Sequence, residues 1–450
     1  MGTWYATIRD GFRTRLWPLP TIAVLCALAL GLGLPEVDSV IDDDLPSRVT
    51  AWLFGGDADA ARSLLGAIAS SMITVTALTF SLTVVTLQLA SSQFSPRLLR
   101  TFTRDQFVQV TLALFLATFT YALTVLRAVR GSDEVGDVEL VPQVAVTVAF
   151  VLAVASVLGL VLFLAHLTEQ IRVETMLRNV HREAMSTMNT VLDERAPAGE
   201  RRDERGDRGT VPTPPAGSEE LLATDDGFLT WVDERGLLDV AVDEGVTLSL
   251  EAHPGVFLVR GTRLGRVWST TGSPLSVEAG ERIRARAGDC VHLGFERTST
   301  QDVGYGLRQL TDVANKALSP GINDPTTAIH ALGHISSFLC ALSDRDLGPG
   351  LMRDADDRVR VVLHRPDLAS YVDLGVSQPR RYGAQDPQVL QKLHQVLLDL
   401  SSRADPDQRP VVRDELERLR ATVAAQPFDA FERAKLDAMD SKIQRNLDIR

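Results

Sequence analysis

Cysteine is almost absent from this 450-residue chain, and Cys26, Cys290 and Cys340 are widely spaced with no CxxC pair. That spacing excludes a disulfide framework and a cysteine-based zinc site. Also missing are GxSxG, a phosphate-cradling P-loop and a GxGxxG following a strand, and no cysteine has a catalytic local context. No catalytic residue, cofactor or metal is therefore expected, and the chain does not read as an enzyme. Basic charge is in deficit, with a formal net charge of −12 and no basic stripe interleaved with aromatics, so nucleic acid is not an expected partner. Lysine is scarce beside arginine, which fits a GC-rich bacterial genome. The most telling absence is of any charge at all in four long stretches.

Those stretches are Leu16 to Pro35, Ser63 to Pro96, Phe107 to Leu126 and Leu140 to Ala165. Each is long enough to cross the ~30 Å hydrocarbon core of a bilayer as a helix. The reading places spans at about 16–35, 64–92, 107–126 and 140–166 within a membrane domain over 1–168. The first stretch is not a cleaved leader by pattern, because no small-residue cleavage site precedes Pro35. Arg9, Arg13 and Arg15 precede span one, and Arg97, Arg100 and Arg104 crowd the turn between spans two and three. The opposite loops hold only Arg48 and Arg62, then Arg127 and Arg130, and carry acidic Asp42 to Asp44 and Asp133 to Glu139. The positive-inside tendency then puts both termini in the cytoplasm.

Span two departs from an ordinary lipid-facing helix. Thr76, Thr79, Thr83 and Thr86 recur at spacings of three, four and three, which sets them on one face, with Met72, Ala90 and Gln93 extending the stripe. Ser70, Thr74, Ser81, Gln88 and Ser91 form a second polar line on roughly the opposite side. Hydroxyls on two faces predict a helix enclosed by protein or water. They could line a pore or pack helix against helix.

After the last span, the chain is expected to continue as an amphipathic helix over 169–195, with His166 solvated at the membrane exit. The Pro-, Gly- and charge-rich segment 196–222 reads as a flexible linker. Alternating strand-like runs and turns predict a β-rich module over 223–300, and helices are expected over 301–450. The fold class is thus an α-helical polytopic membrane domain of four spans followed by a cytoplasmic α+β domain with a small β-rich module and a helical C-terminal part.

The segment GFERTSTQDVGYGLRQLTDVANKALSPGINDPTTAIHAL, Gly294 to Leu332, resembles the hallmark stretch of the bacterial membrane-protein family called domain of unknown function 2254. FLAHLTEQIRVETML, HPGVFLVRGTRLGRV and QPRRYGAQDPQVL are similar to that family's layout as well, so the resemblance covers nearly the full chain. It implies a multi-pass protein of the bacterial inner membrane and supplies no activity.

Within the hallmark stretch, Glu296, Arg297, Gln301 and Asp302 sit at a predicted strand-to-helix corner, where free backbone N–H groups and side chains can meet a polar ligand. The bland alternative pairs Glu296 and Arg297 with the late helices and makes Asp302 a first-turn residue. Asn323 and Asp324 form a tight corner in which Asp324 caps the next helix, or else contacts an ion or a neighbouring subunit. His330 and His334 stand four apart, a metal-sharing spacing that lacks a third ligand here. HPGVFLVRGTRLGRV reads as β scaffold. The function expected is a homo-oligomeric ion channel or pore lined by span two and regulated by the cytoplasmic domain, with membrane lipid and ions as partners. The alternative is a membrane-anchored sensor or scaffold whose cytoplasmic domain binds a ligand or protein.

Overall fold

The computed structural model describes residues 17–41, 53–93, 105–129, 141–170, 172–195 and 211–448. The chain divides into two compact units, Met1–Thr175 and Met176–Arg450. Most of the arginines and acidic loop residues used to orient the spans lie outside the described residues, as do Ile171, the linker residues 196–210 and the side chains of Ala90, Ser91 and Gln93.

The N-terminal unit contains α1 (Pro18–Ile41), α2 (Ala58–Gln93), α3 (Gln106–Ala128) and α4 (Gln143–Gln170). All four are long and apolar enough to cross a membrane. Each follows from its charge-free run. The ends come from local chemistry: Asp105 caps α3, its carboxylate accepting from the Phe107 N–H at 2.9 Å.

Within the chain's own bundle, α3 is the central helix. It packs against α1, α2 and α4, and its window is the most enclosed of the four. Phe115, Tyr121 and Val125 supply its apolar face. Gly31 lets α1 come close, since a Cβ there would sit 2.8 Å from the Thr124 Cβ. Several polar groups in this unit join one helix to another. Thr118 and Ser156 join α3 to α4 at 3.0 Å, and the Tyr121 hydroxyl donates to the Ala145 carbonyl at 3.1 Å. Asp38 is 4% exposed, and one carboxylate oxygen accepts from the Val144 and Ala145 N–H groups at 2.9 and 3.2 Å, capping the start of α4. Such bonds are the usual glue between helices that gain nothing from hydrophobic exclusion in lipid.

The C-terminal unit begins with α5 (Val173–Val191), whose Met176, Leu177, Val180, Ala184 and Met188 form one buried stripe. Then come β1 (Glu219–Leu222), β2 (Gly227–Val232), α6 (Glu234–Asp243), β3 (Val246–Leu250), β4 (Phe257–Leu258), β5 (Arg263–Ser269), α7 (Val277–Asp289) and β6 (Val291–Gly294). The helices α8 (Val303–Ala317) and α9 (Pro325–Ser343) precede β7 (Gly350–Arg353) and β8 (Val359–Leu363). The end of the chain is α10 (Leu368–Val372), a π turn at Asp373–Ser377, α11 (Gln378–Tyr382), α12 (Pro387–Ser401), α13 (Arg409–Ala424) and α14 (Ala430–Asp448).

Two sheets result, ordered β1-β5-β3-β8-β7 and β4-β2-β6. The strands β7 and β8 lie in the stretch that the sequence pattern assigned to helices. VRVVL is only five residues long, and its apolar run is buried by pairing parallel to β3, Leu248 against Val361, which no local pattern announces. β1 likewise falls inside the expected linker, ordered by antiparallel pairing with β5. The sheet core closes on Leu229, Val232, Leu237, Leu248, Val267 and Ile283. Beside it, α9 and α12 bury Ile335, Phe338, Leu339, Leu393 and Leu397.

Replacing Asp38 with Ala leaves two buried N–H groups of α4 without their acceptor. It should lower the stability of the detergent-solubilised protein by about 1–3 kcal/mol. Thermal unfolding would measure this, and Asp38→Asn, which keeps an acceptor oxygen, should recover part of the loss.

Candidate functional site

A cavity of about 430 Å³ opens in the C-terminal unit, within the range of about 300–1,000 Å³ typical of small-molecule sites. Four segments distant in sequence wall it. They are the end of α5 at Val191 and Leu192, the His253-Pro254 turn, the corner Arg297 to Gly304, and the loop after β8 at His364, Arg365 and Pro366. Tyr371 and Leu374 close it from the π-turn side.

Its floor is built on Asp302. This residue occupies the N-cap position of α8 and is 5% exposed, and its carboxylate takes the Arg297 Nε–H at 2.7 Å. Burial raises the carboxyl above the usual carboxylate range, and the Arg297 hydrogen bond and charge oppose that rise. The Tyr371 phenol is also pushed up, by burial first and then by the Asp302 charge. The Arg297 guanidinium lies 6.0 Å from the centre of the Tyr305 ring. Gly255 presses on the ion pair from the other side. It has φ +94°, and a Cβ there would fall on the Asp302 carboxylate and come within 2.7 Å of Arg297 Nη2. The HPG turn therefore belongs to the site as well as to the β scaffold. A sequence signal for it was available in the glycine after His-Pro, because only glycine combines positive φ with so close an approach.

Gln301 works on the backbone. Its Oε1 accepts from the Val232 N–H at 2.7 Å and its Nε2 donates to the Val232 carbonyl at 3.1 Å, extending the edge of β2 like one more strand residue. Ser299 holds α5: its hydroxyl donates to Glu183 at 2.5 Å and its carbonyl accepts from Thr187 at 2.9 Å. On the next helix, Gly306 packs directly on Ala184. The helix that follows the last span in sequence is thus clamped to the same corner that walls the cavity.

The remaining nominated residues go elsewhere. Glu296 is exposed and does not line the cavity. Arg297 pairs with Asp302 five residues on. Asn323, at φ +50°, and Asp324 form the turn into α9, where Asp324 accepts from the Thr327 N–H at 3.1 Å and its carboxyl is lowered mainly by its hydrogen bonds with Thr327. His334 faces His181 of α5 with ring centres 5.1 Å apart, and no group of three metal-capable side chains exists among the described residues. His166 is paired with Asp105 at 2.6 Å rather than solvated.

The threonine stripe of α2 points into the chain's own bundle. Thr76, Thr79, Thr83 and Thr86 are all buried. Thr76, Thr83 and Thr86 donate to the carbonyls of Met72, Thr79 and Leu82 at 2.6–2.8 Å, whereas the Thr79 hydroxyl has no hydrogen-bond partner among the described residues. The opposite line, Ser70, Thr74, Ser81 and Gln88, is exposed.

Four apolar spans and a mixed C-terminal unit define a membrane protein of the multi-span class. Over residues 13–399 the chain matches the family described as "Predicted membrane protein (DUF2254)", and it belongs to that family. It is similar to an uncharacterized protein of Mycobacterium bovis and to uncharacterized proteins from two strains of Mycobacterium tuberculosis. Each is 36% identical over 410 residues, covering 91% of this chain and 76% of the relative. No solved structure matches the chain.

Two outcomes follow from this geometry. Gly255→Ala should force Asp302 and Arg297 apart and cost about 1–3 kcal/mol, read by thermal unfolding, while the same change at Gly261, where a Cβ would meet open space, should cost less. The second concerns pH. His181 and His334 are both lowered, chiefly by burial, and the neighbouring His181 and His330 charges lower His334 further. The unfolded chain therefore binds more protons below the ordinary histidine value, so stability present above about pH 6.5 is lost as pH falls through and below it. The drop in Tm between about pH 7.5 and about pH 5.5 should shrink in His181→Gln.

Proposed function

We propose that this protein is a membrane-anchored sensor of the bacterial inner membrane, with both termini in the cytoplasm and a C-terminal unit that binds a small molecule in the 430 Å³ cavity. The observation that carries this reading is the composition of the cavity wall: the end of α5 lines it, and α5 follows the last span in sequence. A ligand touching Val191 and Leu192 acts on the segment that leads to the membrane helices. The Ser299 contacts to Glu183 and Thr187 give that segment a defined resting position against which a shift can be read. The orientation rests on the arginine-rich ends and turn at Arg9 to Arg15 and Arg97 to Arg104.

A second reading, a homo-oligomeric pore, is favoured by one observation. Ser70, Thr74, Ser81 and Gln88 form an exposed polar line along α2, at depths where lipid offers no hydrogen bonds. If a pore is lined by α2, this line and not the buried threonines would face the path.

The full-length protein, purified in nanodiscs, separates the two. Small molecules released on denaturation would be identified by mass spectrometry. A compound present in near-stoichiometric amount in the wild type, and lost when exposed Ser370 at the cavity is replaced by Trp, supports the sensor. Absence of any bound compound, together with ion flux in liposomes that Ser81→Leu abolishes, would replace it with the pore.

A further inference from the structure

Arg365 is a loosely paired charge in the cavity wall. Its side chain is 20% exposed, yet among the described residues its ion pair is with Glu234 at 4.0 Å, beyond hydrogen-bond distance. A guanidinium carries five N–H donors in a planar fork, and a 4.0 Å ion pair leaves that fork able to accept a better-placed oxyanion. The group is held in place by shape: it lies over Gly350, where a Cβ would sit 3.0 Å from Nη2 and 3.1 Å from Cζ. A half-buried, positioned and hydrogen-bond-poor guanidinium lining a cavity can take an acceptor that arrives from outside.

The carboxylates in the wall do not call for a cation in the same way. Asp302 is met by Arg297 at 2.7 Å, Glu251 by Arg263 and Arg266 at 2.9 and 3.1 Å, Asp373 by Arg418 at 3.6 Å, and Glu234 faces Arg365 itself at 4.0 Å. An incoming cation would have to displace an arginine already in place. His364 flanks Arg365, and its Nε2 lies 3.2 Å from the Ser249 hydroxyl. His253 uses Nδ1–H to bond the Pro254 carbonyl at 2.9 Å, which fixes its ring beside the same space. Leu192, Leu363 and Leu374 supply an apolar wall.

We propose that the cavity takes an organic anion, its phosphate or carboxylate group held by the Arg365 guanidinium and its apolar body lying on the leucine wall. A planar fork that presents two parallel N–H groups matches either oxyanion bidentately. This assignment rests on the sensor reading and specifies the chemistry of its ligand.

The test uses the full-length protein in nanodiscs and four probes of similar size: phenyl phosphate, benzoate, phenol and benzylamine. Binding is read as a shift in Tm and by calorimetric titration. Phenyl phosphate or benzoate should bind and phenol and benzylamine should not, the stronger of the two anions distinguishing a phosphate from a carboxylate ligand. Arg365→Ala should weaken the anion at least tenfold, Arg365→Lys less, and the exposed Arg282→Ala not at all. Should Arg365→Ala fail to fold, the probe series on the wild type and Arg365→Lys still decides. Tighter binding of benzylamine, or an anion affinity indifferent to Arg365, overturns the anion assignment and leaves the sensor standing. Failure of all four probes, together with the absence of a co-purified compound, overturns both.

Discussion

Taking a carboxylate out of water costs several kcal/mol unless a charge and hydrogen bonds replace the solvent it loses. At Asp302 the replacement is Arg297, five residues earlier in the chain, and the surroundings of the cavity follow from keeping those two together. The corner between β6 and α8 must fold back on itself to bring them within 2.7 Å. The HPG turn must present bare backbone to let them lie flat. Tyr371 and Tyr305 then enclose the pair, one against the carboxylate and one under the guanidinium. A single ion pair thus fixes the start of α8 and, through the neighbouring Ser299, the position of α5.

In the N-terminal unit the governing constraint is the lack of water. Hydroxyls there return to their own helix, as Thr83 does to Thr79, or meet a hydroxyl on a neighbour, as Thr118 meets Ser156. Such pairs are modest individually, and the same demand is met at the ends of helices, where Asp38 supplies an acceptor for α4. Thr76, Thr83 and Thr86 of α2 are explained by this need, whereas the buried Thr79 hydroxyl has no partner among the described residues. On the opposite face Ser70 and Thr74 also return to their own helix, yet that line is exposed among the described residues.

How far the sequence was legible depended on whether the determining partner was near or far along the chain. Four charge-free runs announced four spans because a helix satisfies its own backbone. Asp324-Pro325 announced the start of α9 because capping is local. The corner residues Arg297, Gln301 and Asp302 could be nominated from their setting between a strand and a helix. Their companions are harder to place: the glycine after His-Pro marks a tight turn at Gly255, but that turn and Arg365 reach the site through strand pairing and loop closure that periodicity does not encode. The same limit hid β7 and β8 within apparently helical sequence, and hid the pairing of His334 with His181 behind the more obvious spacing to His330. The orientation of the polar faces of α2 was also undecidable locally, since two opposite hydroxyl lines look alike until a neighbouring helix chooses one.

The parallel pairing of β3 with β8 carries a consequence for how the protein is made. Leu248 has no strand on that side until Val361 has been synthesised, and the intervening chain holds α7, α8 and α9. Contacts so distant in sequence form late and slowly. Between the synthesis of β3 and that of β8, that side of β3 has no partner strand. The cavity wall is complete only once Tyr371 and Leu374 have been added, long after the last span at Gln143–Gln170.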